Sequence, residues 1–209
     1  MKVELEQELK LLLEAKDFIM LKKMFKLHQE SIEQINYYFD TFDYELGSKH
    51  ITLRIRFEKN QYCICLKHKT SKDRDLISKS KEYNTIITEQ TFLTIKDNPQ
   101  YILNHINNEG LKLLSSLFDR SKQLLMLGSI KNYRELREGP SGLVLTLDHS
   151  IFFNAVNSYE LEIENINPEE ANQLLMMLSK IGIKYVSNQK GKYKRFLALL
   201  KDKNSLKGV

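Results

Sequence analysis

The sequence predicts an α+β fold: an antiparallel sheet, suited to closing into a barrel, whose two β-rich halves bracket a helical insert. Two observations carry this. Short segments rich in aromatic and β-branched residues alternate apolar with polar side chains, the period of half-buried strands, and short polar turns separate them as in a meander. Between the two groups, from about residue 88 to 117, the pattern turns helical. The chain has 209 residues, 42% of them hydrophobic, which is ample for one core and short for two, so a single domain over 1–209 is expected.

Residues 3–11 read V-E-L-E-Q-E-L-K-L, with Glu4, Glu6, Glu8 and Lys10 on one face of a strand and Val3, Leu5, Leu9 and Leu11 on the other. Phe18, Leu21, Met24 and Phe25 then mark a helix within 14–27. Strands are expected at 35–39, 52–57, 62–69 and 83–87, with Lys59-Asn60 as one of the turns. Pro99 breaks the helical insert or starts a second helix. Strands resume at 124–137, 143–148 and 159–164, and Gly139-Pro140-Ser141-Gly142 makes a turn. Pro168, followed by Glu169 and Glu170, opens a helix carrying Leu174, Leu175, Leu178 and Ile181, and Gly182 stands where it should stop. The remaining C-terminal segments read as helical.

Composition narrows the classes of function. No apolar run reaches the ~18 residues of a membrane span and the N-terminus lacks a continuous hydrophobic signal region, so a cytoplasmic protein with no membrane partner is expected. The only cysteines, Cys63 and Cys65, would point the same way from one strand, too far apart for an easy disulfide, and are expected as reduced thiols packed beside lysines. Two thiols without a histidine cluster do not complete a zinc site. The histidines are scattered and expected on the surface or in loops, with His68 on the outward side of its strand. Tyr37, Tyr38 and Phe39 are expected in the core. A net charge of +5 suits a polyanionic partner.

The polar faces of the strands are segregated by sign. Glu4, Glu6, Glu8 and Lys10 share one; Arg54 and Arg56 a second; Lys67 and Lys69 a third; Glu160, Glu162 and Glu164 a fourth. Solvated strand faces mix their charges, because like charges along one face repel. Acidic groups on strands far apart in sequence become good neighbours once a hard cation such as magnesium or manganese lies between them. Arginine forks and lysine point charges suit phosphate oxygens. A barrel with these charges inside would hold a metal at one wall and phosphates along the others, with helices over its apolar exterior.

Glu6-Gln7-Glu8-Leu9-Lys10 has the form E-x-E-x-K, and Asn36 to Thr41 the form N-x-Y-F-D-T. Leu53-Arg54-Ile55-Arg56, Leu66-Lys67-His68-Lys69, Leu145-Thr146-Leu147-Asp148 and Glu162-Ile163-Glu164 follow in order. This series resembles the CYTH domain family, the triphosphate tunnel metalloenzymes, over nearly the whole chain and in its stand-alone bacterial triphosphatase form. The resemblance implies an eight-stranded antiparallel barrel, a triphosphate tunnel with helices packed outside, which hydrolyses inorganic tripolyphosphate or a nucleoside triphosphate with Mg2+ or Mn2+. It implies Glu6, Glu8, Asp148, Glu162 and Glu164 as metal ligands, and Lys10, Arg54, Arg56, Lys67, Lys69 and Arg134 on the phosphates, with Glu6, Glu8 and Lys10 as the catalytic group.

Two departures leave positions open. The segment 128–134, Gly-Ser-Ile-Lys-Asn-Tyr-Arg, lacks the threonines common before that arginine, and Glu160 gives the late acidic strand a third carboxylate. Of the basic stretch with Lys190, Lys192 and Arg195, which the resemblance sets against the family's closing motif, Lys192 is taken as the residue that enters the tunnel and binds the substrate. Glu4 or Glu160 is a candidate to orient a water nucleophile. The alternatives are a class IV adenylyl cyclase and a non-catalytic triphosphate sensor. Nucleic acid is not expected as a partner, because basic residues alternate with acidic strands and form no exposed stripe. A homodimer is left open.

Overall fold

Eight antiparallel strands close on themselves and turn their charges inward. The computed structural model describes residues 4–72, 75–119, 121–188 and 190–205, the side chains of Glu4, Asn154 and residues 203–205 excepted; Val3 lies outside them. The elements run β1 (Glu4–Leu13), α1 (Ala15–Met24), β2 (Ile32–Thr41), α2 (Glu45–Ser48), β3 (Ile51–Glu58), β4 (Gln61–Lys69), β5 (Ile77–Ile87), α3 (Glu89–Asp97), α4 (Asn108–Leu117), β6 (Leu124–Glu138), β7 (Val144–Ile151), β8 (Asn157–Glu164), α5 (Pro168–Lys180), β9 (Tyr185–Ser187) and α6 (Gly191–Ser205). Strand order is β5-β4-β3-β2-β6-β7-β8-β1. Pairing of β1 with β5, from Glu4↔Glu82 to Leu9↔Ile77, closes the ring. Beyond that point β9 takes the place of β5 beside Leu11 to Leu13.

The apolar residues face outward and are buried under helices. On one flank Leu9 and Leu11 of β1, Leu145 and Leu147 of β7, and Leu161 and Ile163 of β8 pack against Phe18 and Leu21 of α1 and Leu174 and Leu178 of α5. On the other, Phe39, Leu53, Ile55, Ile64 and Leu66 meet Phe92 and Ile95 of α3, Ile102 of the 3-10 turn at 99–104, and Leu114 of α4. Each such fully buried side chain contributes ~1.5–3 kcal/mol.

Local sequence fixes the helix ends. Thr88 accepts a bond from the Thr91 amide and Asn107 one from the Gly110 amide, and Asn167 and Glu170 form a reciprocal cap around Pro168. Gly182, at φ +80°, supplies the left-handed residue after α5. Pro99 starts the 3-10 turn, as a break in the insert required.

Several expectations need correction. Leu5 is 74% exposed, because the helices cover β1 only from Leu9 onward. β2 begins at Ile32 and β5 at Ile77, earlier than aromatic and β-branched content suggests, because their first turns carry inward Gln34, Ser78 and Ser80. The helix expected within 14–27 ends at Met24, and Leu27 bridges to Arg137 instead. α6 lies across one end of the barrel, where Phe196 and Leu197 pack on Tyr38 and Ile130. Tyr38 stacks on Tyr193 at 5.2 Å and on Phe196 at 5.4 Å. Gly128, at φ +143° beside a bulge between β2 and β6, lets that helix close in: a Cβ there would lie 3.2 Å from the Phe196 ring.

Candidate active site

Strand parity sets which side chains enter the barrel, and every residue expected in the site does so. Glu6, Glu8, Lys10, Arg54, Arg56, Lys67, Lys69, Arg134, Asp148, Glu162, Glu164 and Lys192 line one cavity. Toward one end stand Glu6 and Glu164, the latter closing β8; at the other, where β3 begins and β4 ends, stand His50, Lys69, Lys190 and Lys194.

Deep in the cavity, carboxylates and cations interlock. Lys10 Nζ lies 2.9 Å from Glu8 and 2.8 Å from Glu162. Arg134 grips Asp148 with two bonds of 2.9 and 2.7 Å and reaches Glu162 at 3.0 Å. Lys192 meets Asp148, Glu160 and Glu162 at 2.8, 2.9 and 2.6 Å. Burial alone would raise Asp148 and Glu162, but Lys192 and Arg134 hold both below the ordinary carboxylate range, with Lys10 acting on Glu162 as well.

Toward the acidic end this balance breaks down. Glu8 faces Glu164 across β1 and β8. Burial and a hydrogen bond to Glu82 raise Glu6 despite its pairing with Lys67; burial raises Glu164 too, helped by Glu6, Glu8 and Glu162 against the pull of Arg134. Carboxylate oxygens crowded in this way suit a hard divalent ion. Among the described residues, no three carboxylates, histidines or cysteines are gathered closely enough to hold one as they stand. Lys10 and Lys67 occupy the space between them.

On the basic wall the excess is positive. Arg54 approaches Glu82 at 3.8 Å, whereas Arg56 donates to Asn36 Oδ1 at 3.1 Å and meets no carboxylate within ion-pair distance among the described residues. Burial, Arg54 and Arg134 together depress the Arg56 guanidinium.

Residues 4–193 match the family model of the CYTH domain. The chain belongs to the CYTH domain family. YjbK of Bacillus subtilis (strain 168), provisionally named a triphosphatase, is 26% identical over 174 residues, 83% of this chain and 84% of that protein. HpAC1 from Hippeastrum, provisionally an adenylyl cyclase and described as revealing a dominant triphosphatase activity, superposes with a TM-score of 0.75 at 26% identity, covering 92% of this chain and 95% of its own. A Bacillus halodurans structure provisionally described as an adenylate cyclase gives the same score and identity over 94% of this chain and 99% of its own. The eight-stranded barrel is thus the CYTH tunnel.

In this CYTH domain both Lys192 and Arg195 turn into the barrel, where Arg195 reaches Glu160 at 2.6 Å; Lys190 stays exposed at the mouth. Glu160, fully buried against Lys192, Arg195 and Asn188, is not placed to orient a water, and the Glu4 side chain is outside the described residues. The cysteines share the inward face of β4 with Lys67, but their cross-strand neighbours are Arg56 and Arg54. His68 faces away from the cavity, as expected. His149, stacked on Tyr159 at 4.8 Å, is held in an aromatic cluster and is no loop residue. No helix among the described residues is long and apolar enough to cross a membrane.

The sequence reading passed over Glu82, Gln34, Asn36 and Asn132, which also line the tunnel. Asn132 donates to Gln34 at 3.1 Å and to Asp148 at 2.9 Å, and Ser150 donates to Asn132 at 2.8 Å. The available signal was parity: Gln34 and Asn36 alternate with Ile35 and Tyr37, and Asn132 precedes Arg134 by two.

The inner ion pairs set an acid limit on stability. Because Asp148 and Glu162 titrate lower when folded than at their ordinary 3.8 and 4.5, their contribution is complete above those values and is lost as pH falls. The Tm of the metal-free chain, followed by circular dichroism, is expected to drop as pH falls below 4.5. A Tm that rises on acidification would contradict these pairings.

Proposed function

We propose that this CYTH domain hydrolyses a terminal phosphoanhydride bond of inorganic tripolyphosphate or a nucleoside triphosphate inside the tunnel, with Mg2+ or Mn2+. The observation that carries the reading is a pair of opposite charge excesses lining one tunnel: Arg54 and Arg134 crowd Arg56, while burial and neighbouring carboxylates raise Glu6 and Glu164. A metal-bound triphosphate brings to each wall the charge it lacks.

Arg54, Arg56, Lys67, Lys69 and Arg134 hold the phosphate oxygens, Arg134 bridging the basic wall to Asp148. Glu6 and Glu164, which burial and neighbouring carboxylates raise, would hold the divalent ion together with Glu8, which stands between them in the β1–β8 register, and with Asp148 and Glu162. The ion when bound withdraws charge from the phosphate oxygens and leaves water a less repelled approach. Lys10 keeps its proton, because Glu162 and Glu8 outweigh its burial, and so stabilises charge on the leaving phosphate without acting as an acid. Lys192 holds Asp148 and Glu162 in place from the side of α6.

Arg56→Gln separates this use from structure. A lost charge-assisted contact of ~1.5–3 kcal/mol should raise the KM for tripolyphosphate about 10- to 100-fold. The metal-free Tm should not fall, since a guanidinium crowded by two others is removed. An unchanged KM would place the phosphates elsewhere. Incubation with ATP decides the second reading, supported by the cyclase descriptions of two relatives: hydrolysis gives orthophosphate, a cyclase gives pyrophosphate and cyclic AMP. The dominant triphosphatase activity described for HpAC1 favours orthophosphate.

A further inference from the structure

The inward face of β4 carries two thiols immediately behind the arginines assigned to the phosphates. Cys63 stands opposite Arg56 and Cys65 opposite Arg54 in the β3–β4 register. Cys65 is 4% exposed, its sulfur donates to the Cys63 carbonyl at 3.7 Å, and Arg54 is its cross-strand neighbour. Cys63 is half-buried, which leaves an approach along the strand. Two sulfurs and two guanidinia in one polar cluster are a different environment from the apolar packing that keeps most buried cysteines inert.

We propose that Cys65 is an oxidation site through which a hydroperoxide switches off the tunnel, an inference that rests on the phosphate-binding role of Arg54 and Arg56. The Cys65 sulfur attacks one peroxide oxygen; the S–O bond forms as the O–O bond breaks. With hydrogen peroxide, sulfur is oxidised by two electrons, and the departing hydroxide takes the proton of the sulfenic acid formed and leaves as water, so that the product is the sulfenate. Arg54 and Arg56 face the oxygen being transferred, and the sulfenate then accepts from the guanidinia that the triphosphate needs. Cys63, at its side, donates to the product. The Cys63 hydrogen bond and the two guanidinia also hold the Cys65 thiol below its ordinary range, which favours the nucleophilic thiolate.

The test treats the full chain with hydrogen peroxide in the presence of dimedone and maps adducts by mass spectrometry, with glutathione in the same tube as a reference thiol. The expected adduct is on Cys65; it persists in Cys63→Ser and is absent from Cys65→Ser. Peroxide alone should lower tripolyphosphate hydrolysis at least about tenfold, the cost of one charge-assisted contact. Dithiothreitol should restore it, and whatever activity Cys65→Ser retains should be indifferent to peroxide. An unlabelled Cys65 while glutathione oxidises, or an adduct on Cys63 alone, would overturn the proposal. Labelling needs no turnover, so it also separates the two readings: bound tripolyphosphate should protect Cys65, and labelling without protection would sustain the site while removing the triphosphate from Arg54.

Discussion

Glu8→Gln is expected to lower tripolyphosphate turnover by about a thousandfold, the scale of losing one preorganised charge at a reacting centre, with the Tm nearly unchanged. Glu8 is 4% exposed, so a large structural effect would be the ordinary expectation for removing its charge. The surrounding pairs argue otherwise. Lys10 keeps Glu162 at 2.8 Å, and Lys67 keeps Glu6 and, at 3.9 Å, Glu82. Neither lysine is stranded, and the amide fits the same space. Meanwhile the acidic wall loses the member that faces Glu164 and stands two residues from Glu6. Steady-state kinetics with urea denaturation checks both halves. Full activity would remove Glu8 from the metal wall; an unfolded variant would mean that the Glu8 pairs carry more of the fold than this geometry gives them.

Lys192→Ala should act in the opposite sense, on stability before chemistry. Its ammonium meets three carboxylates, of which Asp148 and Glu160 are wholly buried. Breaking a buried ion pair by removing one partner costs ~3–5 kcal/mol. Each carboxylate retains a second cation, Arg134 for Asp148, Arg195 for Glu160 and Lys10 for Glu162, so the lower figure, about 3 kcal/mol, is expected. The loss should be shared by α6, which Lys192 ties to the barrel together with the Tyr193 hydroxyl, a donor to buried Asp40 at 2.5 Å. Urea unfolding gives the first quantity, and faster amide exchange in 191–205 than in β1 gives the second. A variant with wild-type midpoint and exchange would place the Lys192 ammonium outside the tunnel.

What the sequence revealed and what it hid follow from the range of the interactions. Period-two alternation in β1, β3, β4 and β8 marks Glu6, Glu8, Arg54, Arg56, Lys67, Lys69, Glu162 and Glu164 as sharing inward faces, because parity along a strand is a local property. The helix start at Pro168 and its stop at Gly182 were equally local. The short α2 and β9 were missed, since four and three residues carry no period of their own. β9 exists because β1 outlasts β5 and offers Leu11 to Leu13 an unpaired edge.

The site's inner partnerships were hidden for a related reason. Asp148 was read as a metal ligand, yet its place between Arg134 and Lys192 depends on α6 crossing the barrel end, which no strand pattern encodes. The C-terminal segment reads as helical, but nothing local says that its Phe196 and Leu197 pack on the inward Tyr38 and Ile130. Cys63 and Cys65 looked like bystanders until cross-strand register set them against Arg56 and Arg54.

The most direct test of the central claim is the release of orthophosphate from tripolyphosphate by the purified chain with Mg2+ or Mn2+, repeated in EDTA. The account predicts steady release with either ion and none in EDTA, with Glu8→Gln close to the EDTA baseline under all conditions. Release that continues undiminished in EDTA, or a folded chain that releases nothing with either ion, would contradict it.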